Sequence, residues 1–339
     1  MTLRVLTSVS FALLVVTGIC QATIEQLTAH SREAFVMGTR VVLTTYAATR
    51  AHGLQRLEQM LEVIERTDAE LSTWRPDSEV SRLNAAAGGG PQRLTLAMCR
   101  LLTNVDRLVS ETEGTFDPAV GSLVQVWDLH GLGRVPSGDD LDVARARSGW
   151  QRIRLDRERC TLAQPSGVLI DVGAFGKGEA LDRVRTELSD AWPWLIDLGG
   201  QVAVSGVPPG GDGWPVNVAH PRARGTSAVS LTMTEGSLST SAGSERDLQV
   251  NAKRVGHILD PRTGRPAPFG GSVTVWSDSA LRADVLSTAL YVLGPDAGMR
   301  WAERHEVAAL FLDVATNGTL QRRSSRAFAQ RFGDRTVRQ

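Results

Sequence analysis

The chain has 339 residues, 42% of them hydrophobic, and its 37 Lys plus Arg balance 37 Asp plus Glu to zero formal charge. That balance lacks the basic footprint of a nucleic-acid binder, and the length permits one large domain or two ordinary ones. The 33 glycines fall in local clusters without a repeat, which points to tight turns near ligands more than to disorder.

The chain opens with Arg4, an apolar run over 9–19, and small or neutral residues at Cys20-Gln21-Ala22. This reads as an export signal cleaved after Ala22. The run is too short to span a bilayer comfortably; the competing reading is a buried N-terminal helix. Ile19 before Cys20 makes a poor lipid-attachment box, so ordinary cleavage is expected, with an inner-membrane anchor as the alternative. The mature chain, residues 23–339, is then one periplasmic domain. Its two remaining cysteines, Cys99 and Cys160, either bridge in an oxidising compartment or sit as buried free thiols.

Residues 35–46 are rich in Val, Thr and aromatics and read as a strand carrying Met37-Gly38-Thr39. Leu54, Leu57, Leu61, Ile64 and Leu71 fall at helical spacing, so 51–71 is an amphipathic helix. Leu96, Leu101, Leu102, Val105, Leu108 and Val109 mark a second, ending near Gly114. The Gly- and Asp-rich segment 131–150 reads as a surface excursion with a short helix. Strands are expected at 167–172, 194–198, 202–205, 228–233, 255–259 and 272–276. A helix should follow Gly176 with Lys177 in its first turn, and another should run from Ser279 to Leu293, stopped by Gly294-Pro295. From Gln321 the Arg-rich end reads as partly solvated or frayed. With no regular βαβ rhythm, the pattern favours an α+β fold with antiparallel sheets.

Several groups can carry chemistry. Asp284 and Thr288 lie four apart on the last expected helix, so their side chains share a face. A carboxylate and a hydroxyl so placed give two hard oxygen ligands suited to Mg²⁺; the plainer reading is a solvated helix face. Asp171-Val172-Gly173-Ala174-Phe175-Gly176-Lys177-Gly178 follows an apolar strand and opens a helix, a place where backbone and dipole attract phosphate. It matches neither a Walker motif nor G-x-G-x-x-G, and a tight structural turn is the alternative. His257 precedes the turn Asp260-Pro261-Arg262-Thr263-Gly264 and can hold phosphate or accept a proton, or can be structural. Trp74 can stack on a flat ring or pack in the core. Ser239-Thr240-Ser241-Ala242-Gly243 reads as a hydroxyl-rich turn, a phosphate cradle or merely a loop.

In this order, Met37-Gly38-Thr39, 72–84, 114–127, 171–182, Leu198-Gly199-Gly200, Thr240-Ser241, 257–264 and 283–288 resemble the segments of the FAD:protein FMN transferase (ApbE) family. The resemblance implies duplicated T-fold-like halves forming one α+β unit. It implies FAD as substrate, with Met37 and Trp74 bracketing the ring and Thr115, Phe116 and Asp117 lining the flavin and its linker. Asp171 would hydrogen-bond FAD, with Lys177 and Ile258 in contact. Mg²⁺ would take the Ala174 carbonyl, Asp284, Thr288 and the Ser287 backbone oxygen. It further implies transfer of FMN to a Thr or Ser hydroxyl of a membrane electron-transport subunit, of the Rnf or sodium-pumping quinone reductase type, with release of AMP. His257 and Asp284 are the catalytic candidates. The sequence departs from the family pattern at Trp74 (often Tyr), Gln201 (often Asp), Gly256 (often His) and Ala242-Gly243-Ser244 (more usually Gly-Asp). Two rivals remain: an FAD pyrophosphatase releasing free FMN and AMP, and an exported FAD-binding protein without turnover.

Overall fold

The computed structural model describes residues 26–188, 192–243, 248–250 and 253–333. The expected export signal, with Cys20, lies outside them. Residues 35–46 fold as parts of two strands rather than one. β1 (Thr28–Val36) and β2 (Thr39–Ala47) pair antiparallel through a two-residue turn, Met37-Gly38, with φ of 52° and 68°. Two successive positive φ values match the right-handed twist of a tight hairpin, and Gly38 meets that demand without strain.

The remaining long strands are β3 (Trp194–Leu198), β4 (Gln201–Ser205), β5 (Trp214–His220), β6 (Ala223–Met233), β7 (Glu235–Ala242), β8 (Ser272–Ser277), β9 (Ala308–Val314) and β10 (Leu320–Ser324). Eight of the ten form one sheet in the order β1-β2-β3-β4-β7-β8-β9-β10, every neighbouring pair antiparallel. Strand order therefore follows chain order, and β5 and β6 pair with each other as a separate hairpin. The fold is α+β with antiparallel sheets.

Helices α1 (Arg50–Leu71), α2 (Glu79–Ala85), α3 (Leu96–Glu111), α4 (Gly121–Val126), α5 (Gly138–Ala146) and α6 (Gly176–Leu188) are inserted between β2 and β3. α7 (Ala280–Arg304) connects β8 to β9, and α8 (Arg326–Phe332) follows β10. Alternation sorts the sheet's side chains between two cores. Val41, Leu43, Ile196 and Ala203 pack with α1 and α6, and Val273, Val275, Ala309 and Phe311 pack with α7. On the opposite face Val204, Leu238, Leu310 and Leu312 meet the β5–β6 hairpin and Phe328 of α8. The Arg-rich end is thus anchored as far as 333, since Phe328 is fully buried.

Three further expectations change. Residues 167–172 are not a strand; their backbone is held by Asn84, which accepts from Ile170 N and donates to Ile170 O, both at 2.8 Å. The expected strand 255–259 is broken into the ends of two short ladders, Lys253–Val255 and Leu259–Asp260. The helix from Ser279 does break at Gly294 (φ 73°, ψ 175°), but Pro295 starts a further helical stretch to Arg304, consistent with proline's tolerance in a first turn. Cys99 and Cys160 form a disulfide with Cα atoms 5.5 Å apart, tying α3 to the hairpin formed by Arg154–Asp156 and Thr161–Ala163. Among the described residues no helix is long and apolar enough to cross a membrane.

Candidate active site

Helices α6 and α7 meet at their N-terminal turns beside the end of β7, and a cleft opens there. Ser279 caps α7 by accepting from Arg282 N, and α7 then presents Asp284, Ser287 and Thr288 at helical spacing toward β7. Period-two alternation on β7 aims Ser239 and Ser241 back at them. The segment expected as a hydroxyl-rich turn is thus the end of a strand. Its serines form a lattice with α7: Ser239 Oγ lies 3.3 Å from Ser287 Oγ, and Ser241 Oγ lies 2.9 Å from Ser287 Oγ and 3.3 Å from Thr288 Oγ1.

Asp284 is 3% exposed. Lys177 Nζ donates to its two oxygens at 3.3 and 3.4 Å, Gly178 N–H to Oδ2 at 3.0 Å and Ser239 Oγ to Oδ1 at 3.3 Å. A buried carboxylate survives only with such compensation. Gly178 is where the two helices touch: a Cβ there would lie 2.5 Å from Ala280 O and 2.6 Å from Leu281 Cα.

The segment expected to bind phosphate is a tight turn into α6. Asp171 Oδ1 accepts from Gly173 N at 2.9 Å, Gly176 N donates to Val172 O at 2.8 Å, and the helix starts at Gly176. Asp171, Gly173, Ala174 and Lys177 all line the cleft, joined by Thr240, Ser241, Asp284 and Thr288. Opposite them stand His257, Ile258, Leu259 and Pro261, held by the turn in which Gly264 N donates to Asp260 O at 2.8 Å. Trp127 Nε1 donates to Gly264 O at 2.8 Å and fixes that turn against α4.

Thr115, Phe116 and Asp117 also line the cleft, yet their polar groups serve the scaffold. Thr115 Oγ1 donates to Thr112 O at 2.7 Å, and the Asp117 carboxylate accepts from Ala119 N at 2.7 Å and Trp150 N at 2.9 Å. Burial pushes the Asp117 carboxyl above the usual carboxylate range, and the two backbone N–H donors pull back against it. Phe116 packs edge-on to Phe175, centroids 6.4 Å apart. Ser287 is fully enclosed beneath the cleft, its hydroxyl donating to Asp284 O at 3.0 Å. Gln201, noted as a departure, is buried behind the site and donates to Ala280 O at 2.8 Å.

Met37 and Trp74 lie outside the cleft wall. Met37 packs on the core of α1 and α6. Trp74 is 68% exposed and faces His130, ring centroids 4.6 Å apart. His130 lines the cleft and approaches Asp171 Oδ2 at 3.6 Å. Sequence reasoning passed over it, since a lone His in a Gly-rich excursion carries no spacing signal. The same holds for Asp182, which caps α7 from α6.

The donor set suits a hard cation. Among the described residues no cluster of three or more His, Cys, Asp or Glu side chains could hold a metal, which disfavours a zinc-type cage. One buried carboxylate, the Thr288 hydroxyl and the Ala174 carbonyl are instead the sparse oxygen set Mg²⁺ accepts when phosphates complete its shell. The Lys177 ammonium supplies the positive charge that faces Asp284 here.

The model of the ApbE family matches residues 37–311. A FAD:protein FMN transferase of Klebsiella pneumoniae is 31% identical over 291 residues, covering 84% of this chain and 89% of its own. Another, of Haemophilus influenzae, is 29% identical over 286 residues, covering 80% and 82%. Among solved structures, the flavinyl transferase ApbE of Pseudomonas stutzeri superposes with a TM-score of 0.80 at 28% identity, covering 92% of this chain and 99% of that one. The ApbE protein of Thermotoga maritima gives 0.82 at 27% identity, covering 89% and 99%. With the family model matched over residues 37–311, and with its fold and most of its length in common with these proteins, the chain belongs to the ApbE family.

Proposed function

We propose that this chain is a Mg²⁺-dependent FAD:protein FMN transferase that moves FMN onto a Thr or Ser hydroxyl of an exported acceptor protein and releases AMP. The observation that carries this is the convergence of Asp284, Thr288 and Lys177 with the Asp171–Gly176 turn in one cleft.

Asp284, Thr288 and the Ala174 carbonyl would hold the metal, with the Ser287 backbone oxygen as a further donor. Bound Mg²⁺ neutralises diphosphate charge, which lets a nucleophile approach and makes AMP a better leaving group. Lys177 pairs with the diphosphate from the first turn of α6, and the Gly173-Ala174 backbone admits a phosphate close to the helix N-terminus. Trp74, exposed and facing the cleft residue His130, and Met37 would close on the isoalloxazine ring from beyond the cleft wall, with Phe116 packed beneath it, and Asp171 accepts from a hydroxyl or amine of the adenosine. His257 accepts the proton of the attacking hydroxyl. A bond forms between the acceptor oxygen and the phosphorus on the riboflavin side, and the bond from that phosphorus to the AMP oxygen breaks. The acceptor is a membrane electron-transport subunit, and the site of action is the periplasm.

The test mixes mature protein, FAD, Mg²⁺ and a flavinylation-competent acceptor. The acceptor band should fluoresce on a denaturing gel, and Asp284→Ala should abolish the signal. A dark acceptor accompanied by free FMN would identify a pyrophosphatase instead; a dark acceptor with FAD bound and no AMP would identify a binding protein.

A further inference from the structure

We infer that Lys177 is an exchangeable counter-cation, which occupies the Asp284 carboxylate until a divalent metal displaces it and sends its ammonium to the diphosphate. The inference rests on the metal assignment proposed above. Lys177 Nζ lies almost equally far from both Asp284 oxygens, 3.3 and 3.4 Å. The carboxylate is closed on its other sides by Gly178 N–H and Ser239 Oγ. The Lys177 side chain keeps 20% of its surface exposed against 4% for Asp284, so the cation has somewhere to go and the anion does not. Among the described residues, Lys177 is also the only Lys or Arg lining the cleft.

Lysine, not arginine, occupies the position. Of 37 Lys and Arg residues only two, Lys177 and Lys253, are lysines. A guanidinium at this position would grip the carboxylate with a planar fork, whereas an ammonium on a flexible stem makes a pair that can be left. One cation leaving as another arrives keeps the buried carboxylate compensated throughout, which avoids the cost of an unpaired buried charge. The exchange also couples the two ligands: metal frees Lys177 for the diphosphate, and a diphosphate that attracts Lys177 opens Asp284 to metal. Such coupling is reciprocal by thermodynamic necessity.

The experiment titrates Mn²⁺ into nucleotide-free protein and reads bound metal by electron paramagnetic resonance. Lys177→Met should tighten Mn²⁺ binding by about tenfold, within the usual range for coupled sites, and Lys177→Arg should weaken it. Amine acylation of the wild-type protein, mapped on the Lys177 and Lys253 peptides, gives a reading that needs no variant. Mg²⁺ should raise labelling of Lys177 severalfold relative to Lys253. Equal Mn²⁺ affinity in wild type and Lys177→Met, or labelling indifferent to Mg²⁺, overturns the exchange while leaving the metal site standing. Absence of Mn²⁺ binding in both proteins, even with FAD present, removes the metal assignment and the exchange together.

Discussion

Asp182 and Asp284 each hold the other's helix by its N-terminus. Asp182 on α6 accepts from Ser279 Oγ and Ala280 N at 2.7 Å and from Leu281 N at 3.0 Å, all at the start of α7. Asp284 on α7 accepts from Gly178 N in the first turn of α6. Each carboxylate satisfies donors that a helix end leaves open and complements the positive end of the other's dipole. The reciprocal clasp fixes Asp284 relative to the turn that carries Ala174 and Lys177.

Asp182→Ala should therefore cost stability and function separately. Loss of the cap should lower stability by about 1–3 kcal/mol, seen in urea denaturation. In addition, the Mg²⁺ concentration for half-maximal flavinylation should rise, because Asp284 is no longer held in register. Asp182→Asn, which keeps an acceptor oxygen, should recover part of both. An Asp182→Ala enzyme with an unchanged Mg²⁺ requirement would mean that the clasp does not position the site.

Gly178→Ala tests the same junction by steric means. Its new methyl would meet backbone atoms of α7 at 2.5 and 2.6 Å, so the helices must separate, at about 1–3 kcal/mol for overpacking. Gly176→Ala is the control, since its nearest neighbour is the flexible Met37 side chain at 3.5 Å. The first should depress both melting temperature and activity, and the second should leave the melting temperature near wild type. Equal behaviour of the two variants would show that close approach at Gly178 is unimportant.

The face that α7 turns to the cleft was legible because helical spacing is local: Asp284 and Thr288 sit one turn apart wherever the helix goes. Residues with chemistry but no local signature were not. Lys177 and Asp284 are 107 residues apart, and no periodicity announces their pairing. β9 escaped because Ala308-Ala309-Leu310-Phe311-Leu312 is buried on both faces, which erases the alternation that marks a half-exposed strand. Residues 167–172 misled in the opposite direction. Their apolar extended run packs in the core, but its backbone bonds go to scattered partners, among them Asn84, Pro118, Gly121, Gln164 and Pro165, so it never joins a ladder. The Met37 turn was hidden by a single glycine doing the work usually signalled by two turn residues.

The Cys99–Cys160 bridge spans a sequence separation of 61 and encloses most of α3 and the wall segment carrying Thr115, Phe116 and Asp117. A loop of that length should make the disulfide worth about 2–4 kcal/mol through the unfolded state. Reductant, or Cys99→Ser with Cys160→Ser, should lower the melting temperature clearly, and the two treatments should not add. A wild-type protein whose melting is indifferent to reductant would rule out a stabilising bridge in solution.

Asp117 makes stability depend on pH with a definite sign. Its folded-state pKa is raised, chiefly by burial, so between the unfolded value near 3.9 and the folded one the native state binds more protons than the unfolded state. Stability contributed at this position is then greatest below the unfolded pKa, falls as pH rises through that window, and is flat above it. Asp117→Asn removes the titration while keeping an amide oxygen to accept from Ala119 N and Trp150 N, the contacts that Asp117 now makes. The stability difference, wild type minus Asp117→Asn, should therefore decline with rising pH across the mildly acidic range and level off toward neutrality. Denaturant titrations at a series of pH values measure it directly. A difference that stays constant would place the Asp117 carboxyl in a solvated setting, and one that grows with pH would mean that its two N–H donors outweigh its burial.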